Sequence, residues 1–502
     1  MTRGQDRASR WILTATILGS SMTFIDATVV NVALPALQAD LHATITDVQW
    51  VIEAYALFLG ALILVGGSLG DQLGRKRVFL CGVVVFAAAS AFCGVAGSAA
   101  SLVAGRALQG IGAAFLVPGS LAIISATFDE AERGRAIGTW SGFSAVTAAS
   151  GPVIGGWLIE HVHWRAVFFL NLPLAVITLW LSLQFMGESR DPSRGARIDW
   201  SGAALIVAGL GGLVFGLLEW PPLGAGHPVV VVALVTGMVS LVLFIVVEHR
   251  VSNPMVPLSL FASRTFSLTN LLTFLLYAAL SVVFFLVPMN LIQVQGYTAT
   301  QAGAALLPFP VIMFAFSRWS GGLVARVGSR LPLMVGPAAA ALGVMLYAVP
   351  RIGGSYWTTF FPAAVVLGCG MAITVAPLTT TVMGAVGREH AGVASGINNA
   401  VSRVAGLLAV AVFGVLLVSA FDSRVTPSLD DLRLPAPVRA AINRELPKLA
   451  GADVDAAVPI GVAVRTSVRN AVADAFVWAF RLVLAGAAAI ALLAAVFGAL
   501  LR

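Results

Sequence analysis

Fourteen apolar runs set the pattern of apolar and polar positions along the chain. A helix needs about 20 apolar residues to cross the hydrocarbon core of a bilayer. Runs that meet this lie near 11–34, 48–69, 78–97, 101–126, 136–158, 166–186, 200–219, 228–247, 267–289, 302–324, 331–350, 358–384, 392–418 and 472–500. The polar stretches between them are short, except for one at about 420–470. The pattern predicts an all-α membrane protein of about 14 transmembrane helices. The first run follows Arg3, Arg7 and Arg10, as a signal peptide would. It is too long for the apolar core of such a peptide and carries Asp26, so it is read as a retained helix.

An even number of crossings puts both termini on one side, and the arginines choose which. One side carries the N-terminus, Arg75-Lys76-Arg77, Arg133, Arg135, Arg190, Arg194, Arg197, Arg250, Arg264, Arg326, Arg330 and Arg388. The short loops of the other side carry little beyond Arg165 and Arg351. The positive-inside rule then predicts a multi-pass protein of the cytoplasmic membrane with both termini in the cytoplasm. The outside stretch at 420–470 is too long to count toward that rule. Its charges nearly balance, and Pro427, Pro435, Pro437 and Pro447 are expected to break it into short pieces. It reads either as a lid over the outer mouth or, more simply, as a solvated connector.

Composition narrows the class. Of 502 residues 59% are hydrophobic and 11% charged, with a mean hydropathy of +0.93. Soluble proteins carry about 25% charged residues, so a secreted enzyme, a cytosolic enzyme and a disordered chain are all excluded. The net charge of +7 is spread over short clusters between apolar runs, which argues for no nucleic-acid partner. Cys81, Cys93 and Cys369 all lie inside apolar runs and have neither disulfide nor metal spacing.

A loop repeat reveals the domain plan. Gly67-Ser68-Leu69-Gly70-Asp71-Gln72-Leu73-Gly74-Arg75-Lys76 closes the second run, and Gly321-Gly322-Leu323-Val324-Ala325-Arg326-Val327-Gly328-Ser329-Arg330 closes the tenth. In a six-helix repeat the second copy would follow the eighth run. Two helices are therefore inserted between two six-helix halves, giving 1–186, an inserted pair at 187–250, and 251–502. Repeated halves are a common transporter plan. Gly67, Gly70 and Gly74 suit a tight turn between antiparallel helices. Asp71 can face the positive end of a neighbouring helix, and Arg75 can pair with an acid such as Asp129 or Glu130. With Lys76 these residues form a candidate cytoplasmic gate.

The segment Leu-Gly-Asp-Gln-Leu-Gly-Arg-Lys resembles the loop motif of the major facilitator superfamily. Asp26-Ala27-Thr28-Val29-Val30-Asn31-Val32-Ala33-Leu34-Pro35 is similar to the first-helix motif of its fourteen-span drug:proton antiporters, the EmrB/QacA type. Arg106-Ala107-Leu108-Gln109-Gly110-Ile111-Gly112 resembles their fourth-helix motif. Gly151, Pro152, Gly155 and Gly156 resemble the fifth-helix motif that marks exporters. Trp164-Arg165, Asn171-Leu172-Pro173, Asp199-Trp200-Ser201-Gly202 and Gly392-Val393-Ala394-Ser395-Gly396 extend the likeness along nearly the whole chain. Three positions depart from it. Thr147 stands where a further glycine is usual, Ala325 where the second loop copy would have an acid, and Glu53 where much of the family has threonine. The resemblance implies a major facilitator fold and a proton-driven exporter with no cofactor.

Charges inside apolar runs are costly, so each is a functional candidate. The first half has Asp26, Glu53 and Arg106; the second has Arg318, Arg403 and Arg481. Proton handling is therefore expected in the first half. Asp26 and Glu53, on antiparallel helices, are expected to share the outer part of one cavity, with Arg106 facing them. Which acid carries the proton stays open. Asn31, Trp50, Tyr55, Gln109 and Arg403 are candidate cavity residues, while Arg318 and Arg481 are read as snorkelling or structurally paired. Gly151-Pro152 with Gly155-Gly156 gives the fifth helix a thin, bendable stretch, read as a hinge or seal between the halves.

The expected function is proton-coupled efflux of drugs or other hydrophobic small molecules, cations among them, by alternating access. The alternative is a dedicated exporter of one endogenous metabolite, antibiotic or lipid. Expected partners are a small-molecule substrate, protons and the lipid bilayer, with a monomer favoured. No nucleotide-binding loop, catalytic constellation or metal-ligand cluster is present in the sequence, so the chain is not read as an enzyme.

Overall fold

The computed structural model describes residues 3–501 apart from 129, 191–198, 252–253, 387–390 and 454–460. Every regular element among the described residues is helical. The first six long helices are α1 (Arg3–Asp40), α2 (Ile45–Leu73), α3 (Arg75–Gly94), α4 (Ala99–Thr127), α5 (Glu130–His161) and α6 (Ala166–Phe185). Then come α7 (Trp200–Leu223), α8 (Pro228–Arg250) and α9 (Arg264–Met289). After these α10 runs in two pieces, Ala299–Ala305 and Pro308–Gly321. The last four are α11 (Arg330–Tyr347), α12 (Phe360–Gly384), α13 (Ala391–Asp431) and α14 (Val462–Ala499). Thirteen of them are long and apolar enough to cross a membrane. The remaining one, α5, has 32 residues and occupies the place of the fifth run.

Local chemistry explains the starts and breaks. Thr44 and Asp47 form a capping box on α2, Ser98 and Ser101 form one on α4, and Thr298 and Gln301 form one on α10. Asp199 caps α7 by accepting from the Gly202 amide at 2.8 Å. Gly74, at φ +116°, makes the turn from α2 to α3, a conformation that other residues rarely adopt. Pro288 is followed by a π-helical turn at Asn290–Val294, so α9 loosens where proline removes a hydrogen bond.

Packing sorts the helices into groups. In the first, α4 lies on α2 and α3, and α1 lies on α5 and α6. In the second, α12 lies on α10 and α11, α13 on α9, and α14 on α9, α11 and α13. The inserted pair packs on itself, and α7 also touches α2 and α13, flanking the seam where the two groups meet. The groups touch through α2 with α13, α5 with α10, and α1 with α9.

The 420–470 stretch differs from the expected connector. Pro427 lies inside α13, which runs unbroken for 41 residues, and α14 has 38. At 1.5 Å per residue each is about 60 Å long, roughly twice the hydrocarbon thickness. Proline halts a helix only where neighbours cannot absorb the lost bond, and α13 carries through it. Between the two long helices, Ala436–Glu445 forms a short helix followed by a 3-10 turn at Leu446–Gly451. Val438, Ile442 and Leu449 are buried, and Gln38 at the end of α1 donates to the Lys448 carbonyl at 3.2 Å. Residues 436–451 form a packed cap over the end of the molecule where α1 meets α2, here termed the capped end.

Candidate functional site

A polar network fills the centre of the first group. Asp26 of α1 is fully buried, and Arg106 of α4 donates to it at 2.5 Å. The same guanidinium donates to the Val51 carbonyl of α2 at 2.9 Å and to Gln109 at 2.9 Å, and lies 4.4 Å from the centre of the Tyr55 ring. The Gln109 amide donates to Asp26 at 3.1 Å and to Ser90 of α3 at 3.1 Å. Asn171 of α6 donates to Ser90 at 2.9 Å and to Asp26 at 3.4 Å. Ser90 in turn donates to the Phe168 carbonyl at 2.8 Å. Five helices are thus joined through one ion pair. Helical spacing explains α4's share, since Arg106, Gln109 and Gly110 lie on one face. Gly110 lets α2 approach closely, because a Cβ there would stand 2.5 Å from the Tyr55 carbonyl oxygen.

A cavity of about 520 Å³ lies beside this network, between the two groups. The first group contributes Asn31, Glu53, Tyr55, Arg106 and Pro152, and the second contributes Tyr277, Ser281, Phe284, Phe309, Asn399, Ser402 and Arg403. Glu53 is fully buried, and neither of its carboxyl oxygens has a hydrogen-bond partner. Arg403 of α13 reaches the cavity from the opposite side. Among the described residues it forms no ion pair with Glu53.

The two acids therefore do not share the cavity as expected. Asp26 stands behind its wall, covered by Arg106, because the charge pair draws both into the core of the first group. Gln109 belongs to the same network and does not line the cavity. Trp50 packs 6.0 Å from Phe215 of α7 and anchors the inserted pair, so it too is outside the lining. Asn31, Tyr55 and Arg403 do line it.

The glycine stretch of α5 lies where the two groups meet. A Cβ at Gly155 would run into Val29 of α1, and one at Gly156 would stand 2.5 Å from the Ala299 carbonyl oxygen of α10. Beside them Thr300 donates to Glu160 at 2.5 Å, and Gln293 donates to Gln38 at 2.8 Å. These contacts join the groups at the capped end. At the other end the loop motif is pinned to the end of α6. Lys76 donates through its ammonium to the Met186 carbonyl at 2.6 Å and through its amide to Glu188 at 3.1 Å. Arg77 stands 3.7 Å from Glu188, and the Arg75 amide donates to the Ser189 carbonyl at 3.0 Å. Gly67 lies against Pro118 of α4, and Gly70 lies near Arg75. Asp129 and the side chains of Asp71, Glu130 and Arg318 lie outside the described residues. Arg481 donates to the Ala348 carbonyl at 2.7 Å, tying α14 to the end of α11.

Sequence reasoning missed Ser90, Tyr277 and Glu188. None is a charge in a span or part of an isolated motif; each acquires its place only through packing. Asn171 stood in a recognised tripeptide, which was its available signal.

A helical bundle in two groups around a central cavity, with buried charges beside it, defines a membrane transporter. Residues 16–410 match the family model described as Major Facilitator Superfamily, and the chain belongs to that superfamily. It is 35% identical over 442 residues to the multidrug resistance protein Stp of Mycobacterium tuberculosis (strain ATCC 25618 / H37Rv), covering 88% of this chain and 82% of that protein. It is also 35% identical over 409 residues to the tetracenomycin C resistance and export protein of Streptomyces glaucescens, covering 81% and 76%. The fold resembles the crystal structure of a bacterial homologue of the human lysosomal transporter Spinster in an inward-facing, unoccupied conformation. There the TM-score is 0.66 at 16% identity, over 98% of this chain and 97% of that one.

Proposed function

We propose that this protein exports largely apolar small molecules across the cell membrane in exchange for protons. Residues 1–186 and 251–502 rock about the cavity as two halves, with 187–250 as an inserted pair. Both termini lie in the cytoplasm, so the capped end faces outside and is shut in this state. No cofactor or catalytic step is needed. One proton crossing 100 mV supplies about 2.3 kcal/mol, and each 1.4 kcal/mol sustains about a tenfold gradient.

One observation carries the assignment of the proton site. Glu53 is a buried carboxyl in the cavity wall with no hydrogen-bond partner, whereas Asp26 is held by Arg106, Gln109 and Asn171. A carboxyl outside an ion pair can gain and lose a proton in each cycle without first breaking one. Glu53 is accordingly the proton carrier, and Asp26 a fixed strut. Pro152 and Gly156, which face α10, form the seal that opens when the halves rock, Gly151 and Gly155 seat α5 on α1 behind it, and the Gly74–Lys76 turn forms part of the opposite gate.

The test is efflux of ethidium and of norfloxacin from energised cells. Uncoupler-sensitive efflux should be lost in Glu53→Gln at normal membrane abundance. Full proton dependence in that variant would overturn the assignment. A second reading, export of one endogenous compound, is favoured by relatives named for single antibiotics, such as the puromycin resistance protein pur8 of Streptomyces alboniger. Absence of efflux for both probes from a well-expressed wild type would select it.

A further inference from the structure

The cavity's charges are more specific than an apolar exporter requires. Asp26 and Arg106 neutralise one another within the first group. That leaves Glu53 and Arg403 as the charged groups of the lining without an ionic partner among the described residues. They come from opposite halves. Glu53 and Gly60 are seven residues apart on α2, hence on one face and about 10 Å apart along the axis. The Cβ of Arg403 lies 3.5 Å from where a Cβ on Gly60 would stand. The backbones of the two residues are therefore set about two helical turns apart along α2, and their side chains reach one cavity from opposite halves. Tyr55, Tyr277, Phe284 and Phe309 line the same cavity, and the last two pack edge to face at 5.2 Å.

We infer that the cavity takes aromatic zwitterions. Glu53 holds the basic end of the substrate, Arg403 holds the acidic end, and Arg403 is thereby the specificity-determining residue. A buried charge left without a partner is costly. A monocation satisfies Glu53 but leaves Arg403 exposed to it as a like charge, and a monoanion does the reverse. A molecule with an amine at one end and a carboxylate or acidic phenol at the other satisfies both. The planar guanidinium suits the acidic end, since it binds carboxylates through two parallel hydrogen bonds. The aromatic side chains cover the rings between. Exchange follows from the same arrangement, because a proton arriving on Glu53 removes the partner of the basic end while Arg403 stays charged.

This rests on the exporter reading, and its test separates the two. Equilibrium binding to purified full-length protein in lipid nanodiscs is measured by fluorescence for norfloxacin, a zwitterion, and ethidium, a permanent monocation. Wild type should prefer norfloxacin. Arg403→Gln should weaken norfloxacin by about tenfold or more, corresponding to 1.4 kcal/mol or above, and leave ethidium unchanged or tighter. Arg403→Lys should retain part of the norfloxacin affinity. A wild type that binds ethidium more tightly, or binds neither probe, overturns the inference. So does an Arg403→Gln protein of unchanged thermal stability that loses both probes equally. If the inference fails while efflux remains dependent on protons and on Glu53, the exporter reading stands alone. If Glu53→Gln keeps proton dependence, that reading fails whatever Arg403 does.

Discussion

Two buried carboxyls, Asp26 and Glu53, differ in their neighbours: Asp26 is held by Arg106, Gln109 and Asn171, and neither oxygen of Glu53 has a hydrogen-bond partner. Asp26 was legible as important from its type and position alone, since a charge in a span needs a partner and Arg106 stood in reach. The isolation of Glu53 was not legible, because it depends on which faces of α2 and α13 meet. The pairing of Asp26 has a testable energetic consequence. Breaking a buried pair leaves one charge uncompensated and costs about 3–5 kcal/mol, whereas apolar replacement of both partners is often neutral. Asp26→Leu is therefore expected to lower the unfolding temperature of detergent-purified protein sharply. The double variant Asp26→Leu/Arg106→Met should recover much of the loss. Glu53→Gln should leave the temperature near wild type, as Glu53 has no partner to lose. Equal loss in the Asp26 and Glu53 variants would contradict this division of roles.

At the scale of helices, apolar run length located fourteen long helices, thirteen of which are long and apolar enough to cross a membrane among the described residues. It failed where no bilayer acts. The helical extensions of α13 and α14, and the packed Ala436–Glu445 segment, lie in a stretch of balanced charge and repeated proline with no periodic signal. The glycines of α5 are a middle case. Their bendability could be read from the chain, but their contacts with α1 and α10 could not. Close approach at Gly156 makes a prediction about that contact. A larger side chain there meets the Ala299 backbone, which cannot step aside as a flexible side chain would. Gly156→Leu is expected to part α5 from α10. The readout is oxidative cross-linking of Glu160→Cys with Thr300→Cys, positions joined by a side-chain hydrogen bond of 2.5 Å. The cross-linked fraction should fall several-fold in the Gly156→Leu background. An unchanged yield would mean that the two helices are held together elsewhere.

At the scale of the whole molecule, closure at one end rests on two layers. The inner layer is the contact of α5 with α10 beside the cavity. The outer layer is the cap, in which Gln38 links α1 to the Lys448 carbonyl and to Gln293 of the π-helical turn. A Cβ on Gly451 would stand 2.7 Å from the Gln38 carbonyl oxygen and 2.9 Å from the Gln293 amide nitrogen, so the cap fits these side chains closely. The cap belongs to the second half in sequence, yet it rests on the first. If the halves rock, it must part from α1 each time the capped end opens. A covalent link between Gln38 and the cap should then hold that end shut. Gln38→Cys with Lys448→Cys is expected to abolish efflux when oxidised and to restore it on reduction, while binding from the opposite end persists in both states. A cap that merely shields loops would permit transport in the oxidised form. Loss of binding as well as efflux would show instead that the link distorts the cavity.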